Sequence, residues 1–183
     1  VASSAAGRVF VTNPESNDVH VIDMRTRQVV QVLAAGQAPV GIDASADGRH
    51  LFVADWYGGR LLHFTVGKDR VEPFEAIAVG KVPAGIAATA DGSLAWVAER
   101  DDNRVALVDV AARRVIARVD VGEHPFALLL DEAGARLYAL NVFSNDVSVI
   151  DAAARRVIAT IPVGKAPYGA ALANGEEYRG RYG

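Results

Sequence analysis

Gly36-Gln-Ala-Pro-Val-Gly-Ile42 decides the fold, because the chain carries this stretch four times. It returns as Gly80-Lys-Val-Pro-Ala-Gly-Ile86, Gly122-Glu-His-Pro-Phe-Ala-Leu128 and Gly164-Lys-Ala-Pro-Tyr-Gly-Ala170. The prolines Pro39, Pro83, Pro125 and Pro167 stand 44, 42 and 42 residues apart. A fixed period of this length marks a chain built from one supersecondary unit that buries its apolar face only by stacking on copies of itself. The two additional residues of the longer interval fall between Thr65 and Gly80, around Val71-Glu-Pro-Phe74, which predicts one longer outer hairpin.

Outward from this element, each unit reads as four short strands. The first follows the proline, as in Val40 to Ala44. The second is Val9-Phe-Val-Thr-Asn13, repeated as Leu51 to Asp55, Ala95 to Glu99 and Leu137 to Asn141. Val19 to Asp23 gives the third and Val29 to Leu33 the fourth, each with counterparts in the later units. β-Branched and aromatic runs separated by turn residues are the strand signature. Ala46-Asp-Gly48 and Ala90-Asp-Gly92 suit tight hairpins in which glycine takes a positive φ, with Gly7 and Gly134 at the same place in the other units. Ala111 to Arg114 and Ala152 to Arg156 align with Met24 to Arg27, so they read as hairpin turns rather than helix. Four-stranded units of this length are β-propeller blades. The expected organisation is all-β, with units 1–36, 37–80, 81–122 and 123–164. Residues 165–183 read as an extra inner strand, from Tyr168 to Ala173, and a tail.

Leu51-Phe-Val-Ala-Asp55, Asn145-Asp-Val-Ser-Val-Ile-Asp151, Val157-Ile-Ala-Thr-Ile-Pro-Val-Gly164 and the recurring Pro-x-Gly-Ile together resemble the YVTN family of β-propeller repeats. The likeness covers nearly the whole chain. It departs most in the second unit, where Asp55-Trp-Tyr-Gly-Gly59 replaces a polar loop and Thr65 stands where other units have Asp23, Asp109 and Asp151. The resemblance implies a ring of about seven blades, which at roughly 42 residues each needs about 300 residues. Four units are therefore expected to form an arc of a larger propeller, completed by further blades of a longer chain or by a second copy; the alternative is a ring closed by four blades, with the C-terminal strand pairing into the first blade.

Composition narrows the function classes. Of 183 residues 51% are hydrophobic and the formal charge is −3, a core-forming chain without the basic balance of a nucleic-acid binder. There is no cysteine, which excludes disulfides and thiolate-held clusters and fits an exported protein, so a periplasmic or secreted location is expected. No apolar run reaches the length of a membrane span.

Catalytic motifs are missing: the chain has no Gly-x-Ser-x-Gly elbow, no phosphate-cradling glycine loop and no zinc signature. His20, His50 and His63 fall at non-equivalent points without metal-ligand spacing, and no cofactor or metal is expected. In a propeller the loops joining strands two and three share a face with those joining strand four to the next strand one. Binding residues concentrate on such loops. The candidates there are Trp56, Tyr57, Glu99, Arg100, His124, Phe126, Asn141, Phe143 and Tyr168. Adjacent aromatics in a glycine-rich loop point to stacking or anchoring, and His124 stands where its counterparts are Ala or Val. The expected function is a non-catalytic scaffold that binds a protein or small-molecule ligand on this face. The alternative is a propeller enzyme of lactonase or lyase type, or the propeller subunit of a redox enzyme.

Overall fold

Short β-branched runs closed by tight turns satisfy their backbone most directly by antiparallel pairing with the next run. The computed structural model describes residues 1–172, and its strands pair in that way. Blade 1 comprises β1 (Ala2–Ser3), β2 (Arg8–Asn13), β3 (Asp18–Asp23) and β4 (Gln28–Ala34). Blade 2 comprises β5 (Pro39–Ala44), β6 (His50–Asp55), β7 (Arg60–Val66) and β8 (Val71–Ala78). Blade 3 comprises β9 (Pro83–Ala88), β10 (Leu94–Glu99), β11 (Arg104–Asp109) and β12 (Arg114–Asp120). In blade 4 the strands are β13 (Pro125–Leu130), β14 (Arg136–Asn141), β15 (Asp146–Asp151) and β16 (Arg156–Pro162). The four sheets are antiparallel meanders of four strands, and the fold is an all-β propeller. A single 3-10 turn, Arg100–Asp102, is the helical element among the described residues. No helix there is long and apolar enough to cross a membrane.

The radial order follows from packing. The first strands of successive blades lie against one another, β5 on β9 and β9 on β13, whereas the fourth strands meet at few points. This convergence requires the glycine of the first two Pro-x-Gly elements. A Cβ at Gly41 would lie 1.8 Å from the Ala84 carbonyl oxygen, and one at Gly85 would lie 2.5 Å from that of Phe126. Pro39, Pro83 and Pro125 open β5, β9 and β13 at the axial edge, where a missing N–H costs no ladder bond. Blades 2 and 3 are covered on both faces, so β6, β10 and β11 are buried almost continuously instead of alternating. Their core unites Phe52, Leu61, Ile86, Val97 and Val108 across the blade boundary.

The longer interval between repeats is absorbed in longer strands, and the turn between them closes by the Gly67 N–H to the Arg70 carbonyl instead of through a left-handed arginine as at Arg27, Arg113 and Arg155. β7 and β8 have 7 and 8 residues where β3 and β4 have 6 and 7. The Asp-Gly turns behave as read, with Gly48 at φ 73° and Gly92 at φ 69°. Residues 163–172 form no strand, so Tyr168 to Leu172 does not join a sheet as a first strand. Ala173 and the remainder of the expected tail lie outside the described residues.

Candidate functional site

The second strand of every blade ends on a polar residue, and these four residues fix the rim of one face. Asn13 and Asn141 donate through Nδ2 to Asp18 and Asp146, at 2.7 and 2.6 Å. Asp55 and Glu99 instead accept from Arg60 and Arg104. The pair spans the β2–β3 type hairpin, and its two members change together, amide with acid or acid with guanidinium. Glu99 is fully buried, and besides Arg104 it accepts from the Gly80 N–H at 2.8 Å and Arg118 Nε at 3.0 Å. The Glu99 carboxylate in turn holds the Arg104 guanidinium above its ordinary pKa. Asn141 is equally buried and also donates to Ser148 Oγ at 2.9 Å. The structure therefore corrects the expectation for both: Glu99 and Asn141, the last ladder residues of β10 and β14, are not open to a ligand but buried, bonded chiefly to later strands of their own blades.

Above this floor, a second repeated device positions the loops. Asn17, Asn103 and Asn145 sit in the left-handed region at φ 60°, 54° and 59°. Each side chain accepts the N–H of the residue before the next proline: Ala38 at 2.7 Å, His124 at 2.9 Å and Ala166 at 2.9 Å. Those acceptor-held residues are themselves left-handed, at φ 53°, 55° and 51°. A non-glycine residue costs roughly 1–2 kcal/mol there, so the asparagine clamp stabilises a conformation the chain would otherwise avoid.

Six of the nine candidates converge on this rim. Arg100 lies over two rings, its guanidinium carbon 5.6 Å from the Trp56 centroid and 5.7 Å from that of Phe143. Trp56 meets Phe126 edge-on at 6.2 Å, and Phe126 meets Tyr168 edge-on at 5.1 Å. His124 tilts over Phe143 at 4.1 Å, with Nε2 3.7 Å from Asp101 Oδ1. The cluster draws on blades 2, 3 and 4 and on the loop after blade 4. Phe143 is 56% exposed and Tyr168 62%, while Trp56 and Phe126 are half-buried. Exposed aromatic rings around a held cation present a preformed surface for stacking or for an apolar anchor. Tyr57 stands beside the cluster, 73% exposed. Its N–H donates to the Gln37 carbonyl, which fixes the loop while leaving the ring to solvent.

A buried and a half-buried ionisable group elsewhere had no signal in the sequence. His63, 3% exposed, stacks on Phe52 and pairs through Nε2 with His50 Nδ1 at 2.9 Å. Burial first, and the neighbouring His50 second, lower its pKa to about 4. Asp43 accepts from the Ala88 N–H at 2.9 Å, and burial raises its carboxyl above the ordinary range. Both contacts depend on how strands meet across a sheet or a blade boundary. Among the described residues, no group of three or more metal-ligating side chains comes together.

No family model and no curated protein matches the chain. Solved structures do. Hydrazine synthase of Kuenenia stuttgartiensis is similar with a TM-score of 0.79 and 23% identity, over 87% of this chain and 47% of that one. A functionally unknown protein of Desulfotomaculum acetoxidans is similar with a TM-score of 0.74 and 15% identity, over 90% and 57% of the two chains. A candidate 6-phosphogluconolactonase of Bacteroides fragilis gives 0.76 and 14%, over 90% and 54%. The chain thus spans about half the length of the structures it matches, and what it shares with them is the propeller fold.

Proposed function

We propose that these blades act as a non-catalytic binding scaffold, and that the rim around Trp56, Arg100, Phe126, Phe143 and Tyr168 receives a partner protein. The observation that carries the reading is the convergence of these side chains from three blades with two rings more than half exposed. Exposing large rings side by side is costly, and such patches mark interaction sites. Beside the rings, Arg100 is paired with Asp101 and Arg104 with Asp102, which favours the apolar surface as the part that binds. The reading includes membership of the YVTN repeats, a periplasmic or secreted location and a larger ring. Ile161 supports the last, being 48% exposed where Leu33, Ile77 and Val119 at the same repeat position are 5%, 2% and 6% exposed. An enzymatic reading would have to use His124 and Asp101, the acid–base pair of the rim.

The test is capture of partners by the immobilised chain from extracytoplasmic extract, compared with Phe143→Ser/Tyr168→Ser. Both rings are largely solvent-facing, so the double variant is expected to melt within about 2 °C of the parent, as surface substitutions do. A partner retained by the parent and lost by the variant is the expected result. Identical capture by both would refute the rim as the binding surface.

A further inference from the structure

The second blade breaks the asparagine clamp, and the break opens a groove. Where Asn17, Asn103 and Asn145 stand in the other hairpins, blade 2 has Gly59, with the same left-handed backbone at φ 63°. Glycine has no side chain to offer, so the hydrogen bond given to Ala38, His124 and Ala166 has no counterpart at Val82. Val82 nevertheless holds the same conformation at φ 50° and is the one β-branched residue among the described left-handed positions. That is the least favourable residue type for this region, and strain of this kind concentrates at ligand clamps. Over the same spot lies an open groove of about 510 Å3, bordered by Trp56, Tyr57, Gly59, Val82, Asp101 and Asp102.

The geometry points to this groove as a binding site for a neutral amide oxygen, carried by an extended peptide segment of a partner protein. The amide oxygen takes the place that an asparagine carboxamide holds in the other blades and accepts the Val82 N–H. The flanking apolar part of the peptide lies on Trp56 and Tyr57. Neutral character follows from the other blades, where the acceptor at this place is an asparagine carboxamide. Lys81 also lines the groove, and its N–H serves Asp102. Glycine at 58 has a separate explanation, since a Cβ there would lie 2.0 Å from Asp55 Oδ2. At Gly59 a Cβ would meet only the Gly80 carbonyl oxygen, at an ordinary 3.6 Å. The groove is therefore not forced by packing; asparagine fits there, as it does in the three other blades.

This inference rests on the reading of the rim as a binding face, and it is tested by restoring the clamp. The probe is the blocked dipeptide N-acetyl-phenylalanyl-asparagine amide, followed by amide-resolved NMR of the full chain, with acetate as a second titrant. In the parent, the dipeptide is expected to give saturable shifts at the Val82 and Tyr57 amides and at the Trp56 indole. Gly59→Asn places a protein carboxamide in the groove. It is expected to weaken the dipeptide at least about tenfold while leaving the melting temperature unchanged or higher. Tyr57→Ala, at a ring that is 73% exposed, gives a second loss of affinity that does not depend on folding. Absence of a saturable shift at Val82, equal binding by Gly59→Asn, or an acetate response matching that of the dipeptide overturns the inference. Partner capture that depends on Phe143 and Tyr168 while Val82 stays silent would leave the rim reading standing and remove this one alone.

Discussion

Replacing Gly41 by alanine tests the axial packing that makes this chain a propeller. The new Cβ would lie 1.8 Å from the Ala84 carbonyl oxygen and 2.8 Å from its carbon, where ordinary contact begins near 3.4 Å. The obstacle is backbone near the start of β9, at the register shift of its pairing with β10 and packed against β13, so no side chain can rotate away. Relief requires the first strands of blades 2 and 3 to part, which opens the core that contains Phe52, Ile86 and Val97. Overpacking of a core costs about 1–3 kcal/mol, and a backbone obstacle puts this case at the upper end or beyond. At roughly 2–4 °C per kcal/mol for a domain of this size, the melting temperature should fall by about 6–12 °C. Thermal melts followed by far-UV circular dichroism, with urea titration as a check, provide the assay. Gly85→Ala, 2.5 Å from the Phe126 carbonyl oxygen, should behave alike but more mildly. Ala127 holds the same repeat position in blade 4 and already carries a Cβ, so Ala127→Gly should relieve nothing. A Gly41→Ala protein melting within about 2 °C of the parent would show that the first strands do not converge as described.

Two further outcomes follow from buried polar groups. Glu99→Ala removes the acceptor of the Gly80 N–H, Arg104 and Arg118, and should cost about 3–5 kcal/mol in urea unfolding, against a negligible effect for Glu72→Ala at the exposed edge. His63 is held neutral with a pKa of about 4, whereas the unfolded chain binds its proton near 6.5. Stability from this group is therefore complete above about pH 6.5 and is lost as pH falls towards 4, with a slope of at most about 1.4 kcal/mol per pH unit. His63→Leu should flatten that part of the stability profile, while an unchanged slope would place its origin elsewhere. Asp43, whose carboxyl is raised by burial, acts with the opposite sign and is fully favourable only at lower pH.

The strands were legible because each is written four times, and errors in one copy are corrected by the others. Ala152 to Arg156 could pass for helix alone, but aligned with Met24 to Arg27 it must turn, and it does. Glu99 and Asn141 were misread for a physical reason. The repeat placed them at the strand ends, and a polar residue at a strand end beside a loop reads as solvent-facing, yet here it is buried with a partner. The signal lay in plain sight five residues on: Asn13 with Asp18, Asp55 with Arg60, Glu99 with Arg104, Asn141 with Asp146. A position that swaps acid for amide only when its neighbour swaps base for acid is a contact. His63 and Asp43 offered no such pairing, because their partners depend on how strands meet rather than on any repeated spacing.

What the repeat constrains and what it frees are separated by a single residue. The last ladder residue of each second strand is locked by its pair, while the next one carries a different side chain in every blade, exposed at Pro14, half-buried at Trp56 and Arg100, and buried at Val142. Trp56 and Arg100 are thus the same position in successive blades, and they meet because the propeller turns consecutive blades towards one axis. Four identical blades would give a rotationally uniform rim, which cannot recognise a partner in one orientation. An aromatic and a cation at adjacent equivalent positions, with Phe143 also against the guanidinium, give the rim a direction. The Gly58–Gly59 pair lies directly beside that junction, on the one hairpin where the asparagine clamp is missing. Apart from the lengthened β7–β8 hairpin, the departures fall on a continuous arc of one face, from the groove under Tyr57 through Trp56 and Arg100 to Phe143. A surface selected to bind a partner across several blades would be altered in this contiguous way.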